Sequence, residues 1–289
     1  MFVKNFEKIS KAFEEYNLDI REDISLKILN YIQERLIKNK EDIEKISEVF
    51  HDISFERIME VYQEEISKPE IYKKQKNLKK LENGFVYGTY ITSVGNVVVE
   101  TESTIQVLKY FIYAIQSRNT VTISDLEYIE NDLKHILHLI FSEALEKFEV
   151  NKNLINILPY EECYYENFDL IINQVENKIK KRNEISKLFI YKASNQFEEE
   201  IANEIQYLEK NNKEYEILSG DFCKAISKIN ENIVIGATIY TNNPKEAYEF
   251  INLIHSKNVF VNTSFAELDE NIEELDNPLY RNKKIMYPR

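Results

Sequence analysis

The stretch from Phe85 to Glu127 constrains the fold more than any other part of this sequence. Val86-Tyr-Gly-Thr-Tyr-Ile91 is a compact β-branched and aromatic run, and Thr92-Ser-Val-Gly-Asn96 is a turn-rich break. Ile105, Leu108, Phe111, Ile112 and Ile115 then recur at helical spacing, and Thr120-Val-Thr-Ile123 follows as a second strand. Strand, helix and strand in this order make a right-handed βαβ unit, the building block of a parallel sheet. Sheets of that kind bind nucleotides or other anionic ligands beyond the carboxyl ends of their strands. The expected fold class is α/β and doubly wound.

The rest of the chain supports that reading by alternation. Residues 1 to about 80 read as helical. Phe2, Phe6, Ile9 and Phe13 line one helix; Ile24, Leu26, Ile28, Leu29, Ile32, Leu36 and Ile43 define a longer one; Phe55, Ile58, Met59 and Tyr62 suggest a third, ending near Pro69. The basic run from Lys73 to Lys80 reads as a solvated linker in an acidic protein. A long amphipathic helix is expected from Leu126 to Phe148, followed by short strands at Leu154–Leu158 and Phe168–Ile172. The polar stretch from Val175 to Ile185 reads as the domain boundary. Beyond it, strands at Lys187–Tyr191, Tyr215–Leu218, Ile233–Tyr240 and Asn258–Asn262 alternate with helices, one of them opened by Asn243-Pro244. Glu267 to Asp276 reads as acidic surface, and Lys283–Tyr287 as a final edge strand. Three parts result: a helical N-terminus with a cofactor-type domain over 1–182, a smaller α/β domain over 183–270, and a tail over 271–289.

Charge and composition exclude several functions. A formal net charge of −13 argues against nucleic acid and anionic membranes as partners. Two cysteines, Cys163 and Cys223, are too few for a disulfide framework, and a cytoplasmic location is expected. The first residues lack the apolar core of a signal peptide, and no run of about 18 apolar residues occurs. Only five glycines are present, none in a G-x-G-x-x-G or Walker spacing, which weakens the case for a phosphate-cradling loop. His135 and His138 stand three residues apart on one helix, but no acidic or thiol partner with ligand spacing is near, so no metal site is expected.

Several segments, in collinear order, resemble the aldehyde dehydrogenase superfamily. Leu26 to Glu44, with Lys27-Ile-Leu-Asn-Tyr-Ile-Gln-Glu-Arg-Leu-Ile-Lys-Asn-Lys-Glu-Asp-Ile43 in its middle, is similar to an early helix of that superfamily. Gly88 to Asn96 resembles the strand and loop that end in its asparagine, and Ser117-Arg-Asn-Thr-Val-Thr-Ile123 its second cofactor-domain strand. Ile235-Gly-Ala-Thr-Ile-Tyr-Thr-Asn-Asn-Pro-Lys-Glu-Ala247, followed by Asn258-Val-Phe-Val-Asn-Thr-Ser264, resembles the late strand, helix and V-x-V-N strand of its catalytic domain. The nearest branches are gamma-glutamyl phosphate reductase and the CoA-acylating aldehyde dehydrogenases. The resemblance implies a Rossmann-type cofactor domain binding NAD or NADP, and a smaller α/β catalytic-type domain.

The resemblance also implies a chemistry that these residues do not supply. The superfamily uses a cysteine thiolate that attacks a carbonyl, and the intermediate then yields hydride to the nicotinamide. Its nucleophile lies between the last cofactor-domain strand and the first catalytic-domain strand, here between Phe168–Ile172 and Lys187–Tyr191, where no cysteine stands. Asn96 matches the family's oxyanion-holding asparagine. Ser124 stands at the cofactor-contacting lysine position, and Ser124 and Glu127 are the candidate ribose contacts. Asn173-Gln174 stand where the family has a phosphate-binding glycine. Members form oligomers through a β-hairpin and the last strand, and no hairpin is evident between Lys73 and Phe85. Three readings follow. The chain is a degenerate relative that binds without chemistry, as a homo-oligomer or as a hetero-oligomer with an active relative. It is a working NAD(P)-dependent oxidoreductase whose thiol is Cys163. Or it is a sensor or structural partner with no nucleotide affinity.

Overall fold

The computed structural model describes residues 2–19, 21, 23–50, 52–68, 75–80, 85–126, 128–129, 131–163, 165–182, 184–268 and 280–288. Four helices lead the chain: α1 (Phe2–Leu18), α2 (Ile24–Lys38), α3 (Lys40–Phe50) and α4 (Phe55–Ile66). Ile28, Leu29, Ile32 and Leu36 recur at three- and four-residue spacing and bury one face of α2. Ser54 caps α4 by accepting from the Arg57 N–H at 3.3 Å. Next come β1 (Gln75–Lys80), β2 (Phe85–Ser93), β3 (Asn96–Thr101), α5 (Thr104–Ser117), β4 (Thr120–Asp125), α6 (Leu133–Lys147), β5 (Ile155–Pro159), β6 (Leu170–Asn173) and β7 (Lys178–Lys181). The chain ends with β8 (Glu184–Lys192), α7 (Glu198–Lys210), β9 (Tyr215–Ser219), α8 (Phe222–Ile229), β10 (Ile233–Tyr240), α9 (Pro244–Leu253), β11 (Ser256–Val261) and β12 (Tyr280–Pro288). No helix among the described residues is long and apolar enough to cross a membrane.

These elements form two α/β units. The first comprises Met1–Tyr72 and Ser93–Lys181. Its sheet has the order β5-β4-β3-β6-β7, parallel except for β7. Val97, Val98 and Val99 on β3 and Val121 and Ile123 on β4 are fully buried. Central parallel strands covered on both faces read as such unbroken β-branched runs. The chain winds outward from β3 through α5 to β4 and through α6 to β5, then returns to lay β6 on the other side of β3. Strand order therefore reverses between β3 and β6, which makes their carboxyl ends the switch point of this sheet.

The second unit comprises Lys73–Thr92 and Arg182–Arg289. Its sheet has the order β1-β2-β12-β11-β10-β8-β9, with β8 to β12 parallel and β1 antiparallel to β2. Leu188, Ile190, Ile201, Leu208, Ile235, Phe260, Phe265 and Met286 form its core. Gly236 is closely packed: a Cβ there would lie 2.9 Å from Leu188 Cδ2 and 3.1 Å from Phe265 Cε1, so those side chains would have to shift.

Four sequence expectations change. The strand that feeds α5 is β3, not Val86–Ile91, which lies in the second unit's sheet as part of β2. Only Val94 and Gly95 separate the two strands, with Gly95 at φ 137°, so the break is shorter than its turn-like residues suggest. The helix expected from Leu126 starts at Leu133, where Asp132 caps it after left-handed Asn131 (φ 62°). Residues 73–92 belong to the second unit instead of the first, and β1 with β2 supplies the hairpin that the sequence did not reveal. The final strand is no edge: β12 lies between β2 and β11. Residues 269–276 of the acidic segment lie outside the described residues, as does Glu127.

Candidate functional site

Asn96 and Ser124 stand at opposite ends of the five-stranded sheet. Asn96 opens β3 and pairs with Thr120, the first residue of β4; Ser124 lies near the carboxyl end of β4, level with Glu100. The structure does not bring the two expected positions together.

Asn96 is 6% exposed, and its groups are engaged within the first unit. Thr120 Oγ1 donates to its Oδ1 at 2.6 Å, and its Nδ2 donates to Ser10 Oγ at 3.4 Å. Its backbone N–H donates to Asp169 Oδ2 at 2.8 Å, and its carbonyl accepts from the Asp169 N–H at 2.8 Å. This is a clamp between β3 and the segment leading into β6. An amide fixed in this way at the amino edge does not face the carboxyl ends of the strands.

The carboxyl edge is different in kind. Glu100 on β3 is 8% exposed, its carboxylate accepts from Asn173 Nδ2 on β6, and it lies close enough to the Tyr165 hydroxyl to act on it. Tyr165 Oη and Ser124 Oγ lie 2.9 Å apart in a hydrogen bond. Ser124 also lies close enough to act on the Cys163 thiol, which is buried against Val98 and Phe168. Gln174 donates its backbone N–H to the Glu100 carbonyl at 3.0 Å and its Nε2 to Tyr110 Oη at 2.8 Å. Burial pushes the Cys163 thiol up to about 11; the Ser124 hydroxyl opposes this, while the nearby Glu100 and Glu162 charges add to it. Burial raises the Tyr165 phenol as well, with Glu100 adding to the effect against Ser124. Glu100 and Tyr165 do not stand out in the sequence, and Asn173 does so only as a replacement for the family's phosphate-binding glycine. The visible signal was a carboxylate ending an otherwise apolar strand, Val97-Val-Val-Glu100.

The other candidates disperse. Cys223 is exposed on α8 in the second unit. His135 Nδ1 lies 2.9 Å from Asp132 Oδ1, whereas His138 Nε2 lies 3.3 Å from the Ile155 carbonyl. Each histidine thus serves a separate structural contact, and no metal-holding group of three or more His, Cys, Asp or Glu residues occurs among the described residues.

This two-unit α/β architecture has close counterparts among solved structures. Gamma-glutamyl phosphate reductase from Saccharomyces cerevisiae superposes with a TM-score of 0.56 at 13% identity, covering 100% of this chain and 98% of that one. The enzyme of the same name from Thermotoga maritima gives 0.53 at 12% identity, with the same coverage. A glyceraldehyde-3-phosphate dehydrogenase from Methanocaldococcus jannaschii, solved in complex with NADP, gives 0.51 at 11% identity over 100% of this chain and 94% of that one. This chain has the aldehyde dehydrogenase fold. No family model and no curated protein matches its sequence.

The fold raises the question of NAD or NADP, and the carboxyl edge of the first unit answers it poorly. Dinucleotide pyrophosphates sit at helix N-termini, where backbone N–H groups point at the phosphate. Here residues 174–177 turn directly from β6 into antiparallel β7, so no helix follows β6 to supply such a terminus. At the first turn of α5, Thr104 Oγ1 donates to Asp52 Oδ2 at 2.5 Å, so a carboxylate of the chain already stands there. Glu100 adds a buried negative charge at the switch point itself. Among the described residues, the turn after β6 therefore offers no helix N-terminus of the kind that receives a pyrophosphate.

Proposed function

We propose that this chain is a binding protein built on the aldehyde dehydrogenase fold that works without thiolate chemistry. The carrying observation is Cys163. It is the cysteine nearest the carboxyl edge, and burial, reinforced by two carboxylates, holds its thiol protonated at neutral pH. A nucleophilic cysteine requires the reverse, a depressed pKa in an electropositive setting. The retained fold then serves recognition at the carboxyl edge, alone or as a subunit beside an active relative. The test is steady-state turnover with aldehydes, acyl phosphates and acyl-CoA in the presence of NAD+, NADP+ or their reduced forms. The expected result is no turnover in wild type. Turnover that disappears in Cys163→Ser would overturn the reading in favour of a working oxidoreductase.

A further inference from the structure

The carboxyl edge of the first unit carries a buried carboxylate, Glu100, that forms no ion pair among the described residues. Glu100 is more than nine-tenths buried, its carboxylate accepts from the neutral Asn173 Nδ2, and the Tyr165 hydroxyl near it is neutral as well. Other buried carboxylates of the same unit are treated differently. Asp125, at the end of β4, accepts from Lys134 Nζ at 2.6 Å, and Glu65 on α4 lies 3.2 Å from Lys109 Nζ and also pairs with Lys68. A buried charge without a counter-charge carries a standing desolvation cost that a bound cation would offset.

The neighbours of Glu100 are rich in acceptors. Ser124 and Tyr165 offer hydroxyl oxygens, and the parallel register sets Glu100 level with Ser124 and Val98 level with Thr122. Thr122 and Ser124, two apart on one strand, therefore share a face of the sheet. The Thr122 hydroxyl is fully buried and has no hydrogen-bond partner. A hydroxyl without a partner costs free energy that a donor reaching it would recover. Tyr160 packs its ring on Tyr165 at 6.0 Å between centroids and is itself 44% exposed, which places aromatic surface at the outside of the cluster. Exposed Glu161 and Glu162 follow Tyr160 directly, and the second is close enough to act on the Cys163 thiol.

Taken together, one buried carboxylate, several hydroxyl acceptors, tyrosine rings and an acidic rim describe recognition of a cation with several N–H donors. An ammonium group offers three donors and no acceptor, and it is attracted to aromatic faces. The net charge of −13 favours its approach and opposes that of phosphates. We propose that the carboxyl edge of the first unit binds a small protonated organic amine, with Glu100 as its counter-ion and the Ser124 and Tyr165 hydroxyls as acceptors. This rests on the binding-protein reading and supplies the class of its ligand.

The experiment is a thermal-shift titration at pH 7 with methylammonium and putrescine chlorides. Sodium chloride at matched ionic strength is the reference, because a ligand that binds only the folded state raises its melting temperature saturably. A saturable rise of several degrees with an amine, absent in Glu100→Gln, supports the site. An amine response no larger than that of sodium chloride overturns it, as does an equal response in Glu100→Gln. Should that variant fail to fold, calorimetric titration of wild type with putrescine at 20 and 500 mM sodium chloride carries the test. An affinity several-fold weaker at high salt is expected for a site led by an ion pair, and a salt-independent heat or none overturns it. Loss of the amine effect without cysteine-dependent turnover removes this inference alone. Cysteine-dependent turnover removes the reading beneath it.

Discussion

The two edges of the five-stranded sheet are both buried and polar, yet they are built on opposite principles. At the amino edge, two asparagine amides and an arginine are tied to backbone groups and hydroxyls. Asn119 Oδ1 accepts the Val94 and Gly95 N–H groups at 2.8 and 2.9 Å, and its Nδ2 donates to Ser117 Oγ at 2.7 Å. Asn17 Nδ2 donates to the carbonyls of Phe13 and Arg118, both at 2.9 Å, while its Oδ1 accepts from Ser93 at 3.1 Å. Arg118, itself left-handed at φ 56°, donates from Nη1 to the carbonyls of Tyr16 and Asp19 at 2.8 and 2.6 Å. At the carboxyl edge, among the described residues, the Thr122 hydroxyl has no hydrogen-bond partner and the Glu100 carboxylate forms no ion pair. Satisfied polar networks specify a structure, and incompletely satisfied ones mark where a ligand would be rewarded. The comparison assigns stability to the edge that holds Asn96 and recognition to the edge that holds Glu100.

The contrast can be broken in five ways, the largest effect first. With its thiol pushed up to about 11, Cys163 should be thiolate in only about one molecule per thousand at pH 8. Iodoacetamide labelling followed by mass spectrometry should therefore modify exposed Cys223 first, with the rate at Cys163 rising about tenfold per pH unit toward pH 11. Rapid labelling of Cys163 at pH 7 would contradict its description as a buried thiol. The same group has a stability consequence. Its folded pKa lies above the roughly 8.5 of an unfolded cysteine, so its contribution is complete below pH 8.5 and is lost as pH rises toward about 11. Denaturant melts of wild type and Cys163→Ala across pH 7 to 10.5 should converge as the pH rises.

Asn119→Ala leaves two backbone N–H groups without their acceptor and should cost about 3 kcal/mol in urea unfolding. Asn96→Ala removes one short side-chain hydrogen bond and one long one, and should cost about 1–2 kcal/mol. Glu100→Gln replaces a buried charge by a neutral group of the same shape and should change stability by no more than about 1 kcal/mol. If Glu100→Gln proved more damaging than Asn119→Ala, the division of labour between the edges would be reversed.

Much of the fold was legible in the sequence because periodicity survives divergence. The α5 pattern of Ile105, Leu108, Phe111, Ile112 and Ile115, the Asn243-Pro244 opening of α9 and the long apolar run of β10 need no partners to be recognised. What was hidden depends on partners. Gly95-Asn96 carries turn chemistry, but the valines after it make Asn96 the first residue of a strand, which moved the whole βαβ unit along by one strand. The helix register at Leu133 is set by the Asp132 cap, whose carboxylate accepts from the His135 N–H at 3.0 Å, and the apolar Leu126 and Ile129 upstream masked it. The hairpin of β1 and β2 was concealed by its lysines, which are ordinary on an edge strand and resemble a linker in isolation. The candidate site was least legible. Glu100, Ser124, Cys163, Tyr165 and Asn173 lie on different elements and meet only through the parallel register and the return of β6 to the side of β3.

The most direct test of the central claim is a melting-temperature titration with NAD+, NADH, NADP+ and NADPH to millimolar concentration. An edge closed by Glu100, with a turn in place of a helix after β6, predicts no saturable shift with any of the four. A saturable rise of several degrees with one of them would contradict it, and would show that this fold still holds its dinucleotide.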